Sequence, residues 1–157
     1  MALRLTALAC GVVAICFAGC ATASGVYGTF AGNFVTPSAP SAGRARPMSD
    51  DARLAVVWVG HSTLLIQMDD RLIITDPFLT DHVAMLKIRK VAPAIALDSL
   101  PRLDLILVSH SHADHCNLGS LGMLEARFPA TLLVFPAGVE EFLPRYEFPL
   151  VRLAAPD

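Results

Sequence analysis

Three of the chain's five histidines fall within six residues, His110-Ser111-His112-Ala113-Asp114-His115, directly after the apolar run Leu103-Asp104-Leu105-Ile106-Leu107-Val108-Ser109. The run has strand length. An extended backbone points residues i and i+2 to the same side, so His110 and His112 can present two nitrogens to one ion. Asp114 and His115, where the chain turns, can present an oxygen and a nitrogen to a second ion nearby. Nitrogen and carboxylate donors together suit a borderline divalent ion such as Zn²⁺. Two ions at the end of a strand supply the chemistry of hydrolysis, activating water and polarising the scissile group. A closed structural zinc site would draw on Cys and His, and Cys116 is the one cysteine nearby. Cys116 reads as a half-buried structural residue ahead of a metal-adjacent thiol.

His-x-His-x-Asp-His after a hydrophobic strand is the signature of the metallo-β-lactamase superfamily, and the chain resembles it. The resemblance continues upstream through Trp58-Val59-Gly60-His61-Ser62-Thr63 and Ile73-Ile74-Thr75-Asp76-Pro77-Phe78. These stretches are similar to the branch containing the N-acyl-phosphatidylethanolamine phospholipase D enzymes and the bacterial ascorbate-phosphate lactonases. The likeness covers residues 53–153. It implies an αββα sandwich with two Zn²⁺ ions per complete site, Mn²⁺ or Fe being alternatives. His110 and His112 would bind the first ion with a third His, and Asp114 and His115 the second. A bridging Asp and another His complete the family's set, and these later ligands are expected beyond Leu153. Asp114 would also orient the attacking water. Asp76 resembles an acid that braces the histidine loop, although its position equally suits capping the turn into Pro77. His61 resembles a family position near the site; taken alone it reads as a structural turn histidine. Asn117 departs from the phospholipase-like pattern, where an acid is common.

The 157 residues suffice for one domain, and the formal charge of −2 has its signs mixed. Nothing in that balance favours nucleic acid. The 54% hydrophobic content exceeds the usual ~45–50%, largely because of the N-terminus. Residues 1–20 read as a lipoprotein-type signal peptide: Arg4 begins it, an apolar stretch follows, and Phe17-Ala18-Gly19-Cys20 closes it. Cys20 would carry the lipid, leaving an exported lipoprotein anchored on the periplasmic side of a bacterial envelope. An uncleaved membrane anchor is the competing reading. Residues 21–52 form a tether rich in Gly, Ala, Ser and Pro, of which Asn33-Phe34 resembles a family segment that packs onto the domain.

The domain is expected over 53–157 as an α/β unit with a mixed sheet. Strands are predicted at 54–59, 63–68, 71–75, 103–108, 131–135 and 150–153. Asp69-Asp70 reads as a hairpin turn that forces a positive φ on Asp70. Residues 77–101 form a long connection, which by the resemblance helps shape the substrate entrance; Lys87, Arg89 and Lys90 read at least as well as solvated charges, and His82 as an exposed side chain. Asn117 caps a helix reaching to about Phe128, with Leu118, Leu121 and Leu124 on one face. Residues 138–145 suggest a second, short helix. The runs 103–108 and 131–135 are apolar on both faces, as in strands covered on both sides, whereas two short helices cover one. The expectation is therefore the first αβ half of the sandwich, truncated, prone to self-association or to pairing with a complementing half.

The resemblance implies a metal-dependent hydrolase, phosphodiesterase-like, with a lipid or small-molecule substrate, and the lipid anchor would add a membrane contact. The alternatives are a truncated lipoprotein that binds metal without turnover, and a lactonase once completed.

Overall fold

The computed structural model describes residues 39–41, 49–83, 86–87 and 89–154. The signal stretch, Cys20 and Asn33-Phe34 lie outside them. No helix among the described residues is long and apolar enough to cross a membrane.

Alternating apolar residues build the first three strands, β1 (Leu54–Gly60), β2 (Thr63–Met68) and β3 (Arg71–Thr75), as an antiparallel meander. Two-residue links join them. In the second link the positive φ falls on Asp69, at 51°, and not on Asp70 as the turn chemistry suggested. Asp69 is held there from both sides. Its N–H donates to the Arg53 carbonyl at 2.6 Å, and its carboxylate accepts from Arg53 Nε at 2.7 Å. A short polar side chain tolerates that backbone region better than most.

A small hairpin, β4 (His82–Val83) with β5 (Leu86–Lys87), interrupts the long connection. The chain then re-enters the sheet as β6 (Leu105–Leu107), β7 (Leu132–Pro136) and β8 (Leu150–Leu153). The order is β1-β2-β3-β6-β7-β8, and every pairing after β3 is parallel. Asp104 ties β3 to β6 at one end. Its carboxylate accepts from the Leu72 N–H and from Arg71 Nη1, both at 3.0 Å, and also from Arg102. Ala39, within the tether, is bridged to Val91.

Helix α1 (Leu118–Arg127) crosses between β6 and β7, and the Asn117 side chain caps it by accepting from the Ser120 N–H. Leu121 and Leu124 from α1 bury completely against Leu72, Ile74, Ile106 and Leu133. Leu118, expected beside them, is 45% exposed. Residues spaced by three drift ~60° backwards per step on a 3.6-residue helix, so Leu118 ends ~120° from Leu124. The second helix expected at 138–145 is only a 3₁₀ turn, Val139–Phe142.

The other sheet face carries Leu54, Val56 and Trp58 opposite Met68, Ile66 and Leu64. It continues through Ile73, Leu105, Leu132 and Val134 to Val151. Trp58 is 68% exposed and Leu54 63%. The central positions are half-buried. Strands expected to be covered on both sides are thus closed on the α1 face alone, among the described residues.

Candidate metal centre

The histidine loop leaves the C-terminal end of β6, next to the C-terminal end of its parallel neighbour β3. In α/β sheets that edge is the usual place for ligand chemistry. Asp76 follows β3 directly, with φ 40°. Its N–H continues the ladder to the Leu107 carbonyl at 2.8 Å. Its carboxylate faces the loop: Oδ1 accepts the Ser109 N–H at 2.7 Å, and Oδ2 accepts Ser109 Oγ–H at 2.7 Å and lies 2.9 Å from His115 Nδ1. Buried Thr63 fixes the turn beneath, donating to the Asp76 carbonyl at 2.7 Å and accepting from the Phe78 N–H at 2.9 Å. Burial raises the Asp76 pKa, but the bonds from His115 and Ser109 outweigh it and hold the carboxyl below its ordinary range. Asp76 therefore reaches the loop itself, beyond the turn into Pro77.

His110 Nε2 and His112 Nδ1 converge to 3.0 Å across a bend at Ser111, and Ser109 Oγ sits 2.8 Å from His110 Nδ1. The His110 and His115 rings lie 4.2 Å apart between centroids. Asp114 Oδ2 is 3.7 Å from His115 Nε2 and 2.9 Å from His61 Nε2. Partial burial pulls the Asp114 pKa up, and the His61 bond with neighbouring charge pulls it further down, for a net lowering.

His61 arrives from the β1–β2 link. Gly60 (φ 123°) and His61 (φ 55°) both take the left-handed region. A Cβ on Gly60 would come within 2.9 Å of Arg89 Nη1. Trp58 Nε1–H donates to the His61 carbonyl at 2.8 Å, and the His61 ring packs edgewise on Phe78. His61, Asp114 and His115 each offer one donor atom, all within 4.8 Å of one another. His82 stands apart and exposed on β4.

The surrounding residues explain the loop's shape. Cys116 is buried, and burial with the nearby Asp76 charge pushes its thiol pKa up. A thiol that keeps its proton is a poor ligand. The Asn117 carbonyl oxygen accepts from Ser120 N–H, Ser120 Oγ–H and Thr80 Oγ1–H. Its amide donates to the His82 and Ala113 carbonyls at 3.1 and 3.2 Å. A carboxylate could not make those last two bonds, which gives the amide at this position a physical reason. Arg89 is a correction. It is buried, stacks on Phe78, and donates to the carbonyls of Phe78, Thr80 and Val91.

The sequence reading missed Thr63, Ser109 and Arg89 as supports of the site. The first two stand inside the quoted stretches, but nothing in their spacing marks them. The donor set, imidazoles and a carboxylate with the His61, Asp114 and His115 donor atoms within 4.8 Å of one another, fits a divalent metal of borderline character.

Comparison with known proteins identifies the family. The chain belongs to the beta-lactamase superfamily: the model of the beta-lactamase superfamily domain matches residues 55–135. An uncharacterized protein of Mycobacterium tuberculosis is 34% identical over 112 residues, 69% of this chain and 30% of its own length. An N-acyl-phosphatidylethanolamine-hydrolyzing phospholipase D of Caenorhabditis elegans is 27% identical, over 59% of this chain and 27% of its own. A metal-dependent hydrolase of Thermoplasma acidophilum is 38% identical over 40% of this chain and 24% of its own. The matched part of this chain thus spans less than a third of each relative's length.

Proposed function

We propose that the chain is the metal-holding part of a hydrolase that cleaves phosphodiester bonds, N-acyl-phosphatidylethanolamine phospholipase D-like, with Zn²⁺ as the ion and Mn²⁺ or Fe as alternatives. The observation that carries this is the convergence of His110 with His112, and of Asp114 with His115, at the ends of β3 and β6. His110 and His112 would hold one ion, Asp114 and His115 the other. Bound there, the ions supply activation of water and charge stabilisation at the scissile group. Asp76 accepts from His115 Nδ1 and so leaves Nε2 with the lone pair a ligand needs. Asp114 would in addition orient the attacking water.

A cleft of about 500 Å³ beside His61, walled by Trp58, Val59, Phe78, Val91 and Ala92, supports a substrate with an apolar chain over a small polar lactone. Lys90 at its lining suits an anionic group. An exported, lipid-anchored location on Cys20 would hold the chain at a membrane. Cys20→Ser should then abolish fatty-acid labelling; a variant that still labels would put the anchor elsewhere.

The test is metal content by elemental analysis together with hydrolysis of bis(4-nitrophenyl) phosphate. His110→Ala and His112→Ala should each lose most bound metal and His82→Ala none. Equal metal in all three would sink the assignment. A second reading, metal binding without turnover by this chain alone, is favoured by the open apolar sheet face. It predicts turnover only when a complementary half is supplied in trans.

A further inference from the structure

The β1–β2 turn brings the imidazole of His61 to the histidine loop. We propose that His61, Asp114 and His115 together form a three-donor cation site, two imidazoles and one carboxylate, so that one ion is held jointly by this turn and the histidine loop. This rests on the metal-dependent reading above and adds a ligand to it.

The distances are close to those that a shared ion needs. For metal–donor distances of ~2.0–2.1 Å, neighbouring donors of a tetrahedral site lie ~3.3 Å apart. Asp114 Oδ2 is 2.9 Å from His61 Nε2 and 3.7 Å from His115 Nε2, which brackets that value. A His61–Asp114 hydrogen bond alone would not require the third nitrogen. His115 Nε2 nevertheless faces the same oxygen from beyond hydrogen-bonding distance, while its Nδ1 is engaged by Asp76. All three donor atoms lie within 4.8 Å of each other.

The turn is also built to hold its imidazole still. The left-handed backbone at Gly60 and His61, the Trp58 bond to the His61 carbonyl and the edge contact with Phe78 all fix the ring. Arg89 closes over Gly60 from the other side. A flexible or merely solvated histidine would not be locked at so many points. Two imidazoles and a carboxylate on one side of an ion suit Zn²⁺, Fe²⁺ or Co²⁺ and leave further positions for water or substrate.

The test loads the full-length chain with Co²⁺ and reads affinity by competition with a chromophoric chelator, and coordination by visible absorption. His61→Asn keeps a residue that tolerates the left-handed turn; His61→Gln keeps a donor for Asp114 but removes the imidazole. Both should weaken one bound Co²⁺ by about 100-fold or more, since losing even an outer partner of a ligand costs ~10–100-fold. Both should also alter its absorption band while thermal melting shows the fold intact. Wild-type affinity and spectrum in His61→Gln would make His61 a positioning partner of Asp114 only, and would overturn the proposal. So would unchanged binding in both variants. The control is His110→Ala, which should weaken the other ion instead. A wild-type chain that binds no Co²⁺ at all would remove the hydrolase reading along with this one.

Discussion

Asp76→Asn changes one atom of a nearly isosteric side chain, and the consequences can be followed atom by atom. Oδ1 can still accept the Ser109 N–H. At the Oδ2 position an NH₂ group would meet two groups that now approach an acceptor, Ser109 Oγ–H and His115 Nδ1. The serine hydroxyl can turn, because His110 Nδ1 lies 2.8 Å away. The imidazole of His115 can adapt only by moving its proton to Nε2, the nitrogen that faces Asp114. A protonated Nε2 cannot bind a metal. Hydrogen bonds to a charged acceptor contribute ~1.5–3 kcal/mol each and neutral ones ~0.5–1.5; with two charged bonds replaced by neutral ones, a net destabilisation of ~2 kcal/mol near neutral pH follows. Metal affinity should fall by ~10–100-fold. The pH dependence has a definite sign. The folded Asp76 pKa is below its ordinary value of 3.8, so its contribution is complete above that pH and disappears as pH falls through the lower folded value. The wild-type advantage in urea denaturation should therefore be full at pH 7 and shrink below pH 3.8. Urea titrations, chelator competition and ¹⁵N shifts of His115 measure the three parts. A variant with metal affinity within about twofold of wild type and His115 still protonated on Nδ1 would refute the tautomer argument.

Arg89→Lys should cost ~2–3 kcal/mol in chemical denaturation despite the kept charge, because one ammonium cannot span the three carbonyls that the guanidinium reaches; equal stability would mean those bonds contribute nothing. Asn117→Asp, which introduces the acid common in phospholipase-like relatives, should cost ~3 kcal/mol by turning a carboxylate onto the His82 and Ala113 carbonyls. An unchanged melting curve would reject that account of the amide. Val56→Lys with Val151→Lys should shift the chain towards monomer in sedimentation velocity by charging the open sheet face. Undiminished self-association would place the contact elsewhere.

Much of this was legible in the sequence, for identifiable reasons. Strands declare themselves through alternation, so β1 to β3 fall where residues 54–75 predict them, whereas His110 and His112 meet across a bend at Ser111 and not along an extended strand. The superfamily assignment rested on short stretches and agrees with the matched family model. What was not legible depends on three-dimensional closure. Arg89 sits in a charged run that looks solvated, yet backbone carbonyls from three separate residues surround it, and no local pattern encodes that. Leu118 is as apolar as Leu121, and only the angular drift of the helix separates exposed from buried. Asp69 and Asp70 are chemically identical, so which takes the strained φ was decided by Arg53, sixteen residues earlier. His61 resembled a family position near the site, but taken alone it read as a turn residue, because its partner Asp114 lies 53 positions away.

The change from antiparallel to parallel pairing at β3 also sets a timetable. The meander closes through two-residue links, at little loop entropy, whereas β6 must find β3 across the residues between Thr75 and Leu105. We expect the meander to form early and the β3–β6 seam late, with amide hydrogens of Ile66 protected in pulse-labelled exchange before those of Ile106. Two carboxylates then latch the seam, Asp104 onto the Leu72 amide and Asp76 onto the Ser109 amide. Every proposed ligand sits on the far side of that latch or, like His61, waits across from it. Metal uptake by a refolding chain is therefore gated by seam closure rather than by diffusion of the ion, and should show the same rate constant at all saturating metal concentrations.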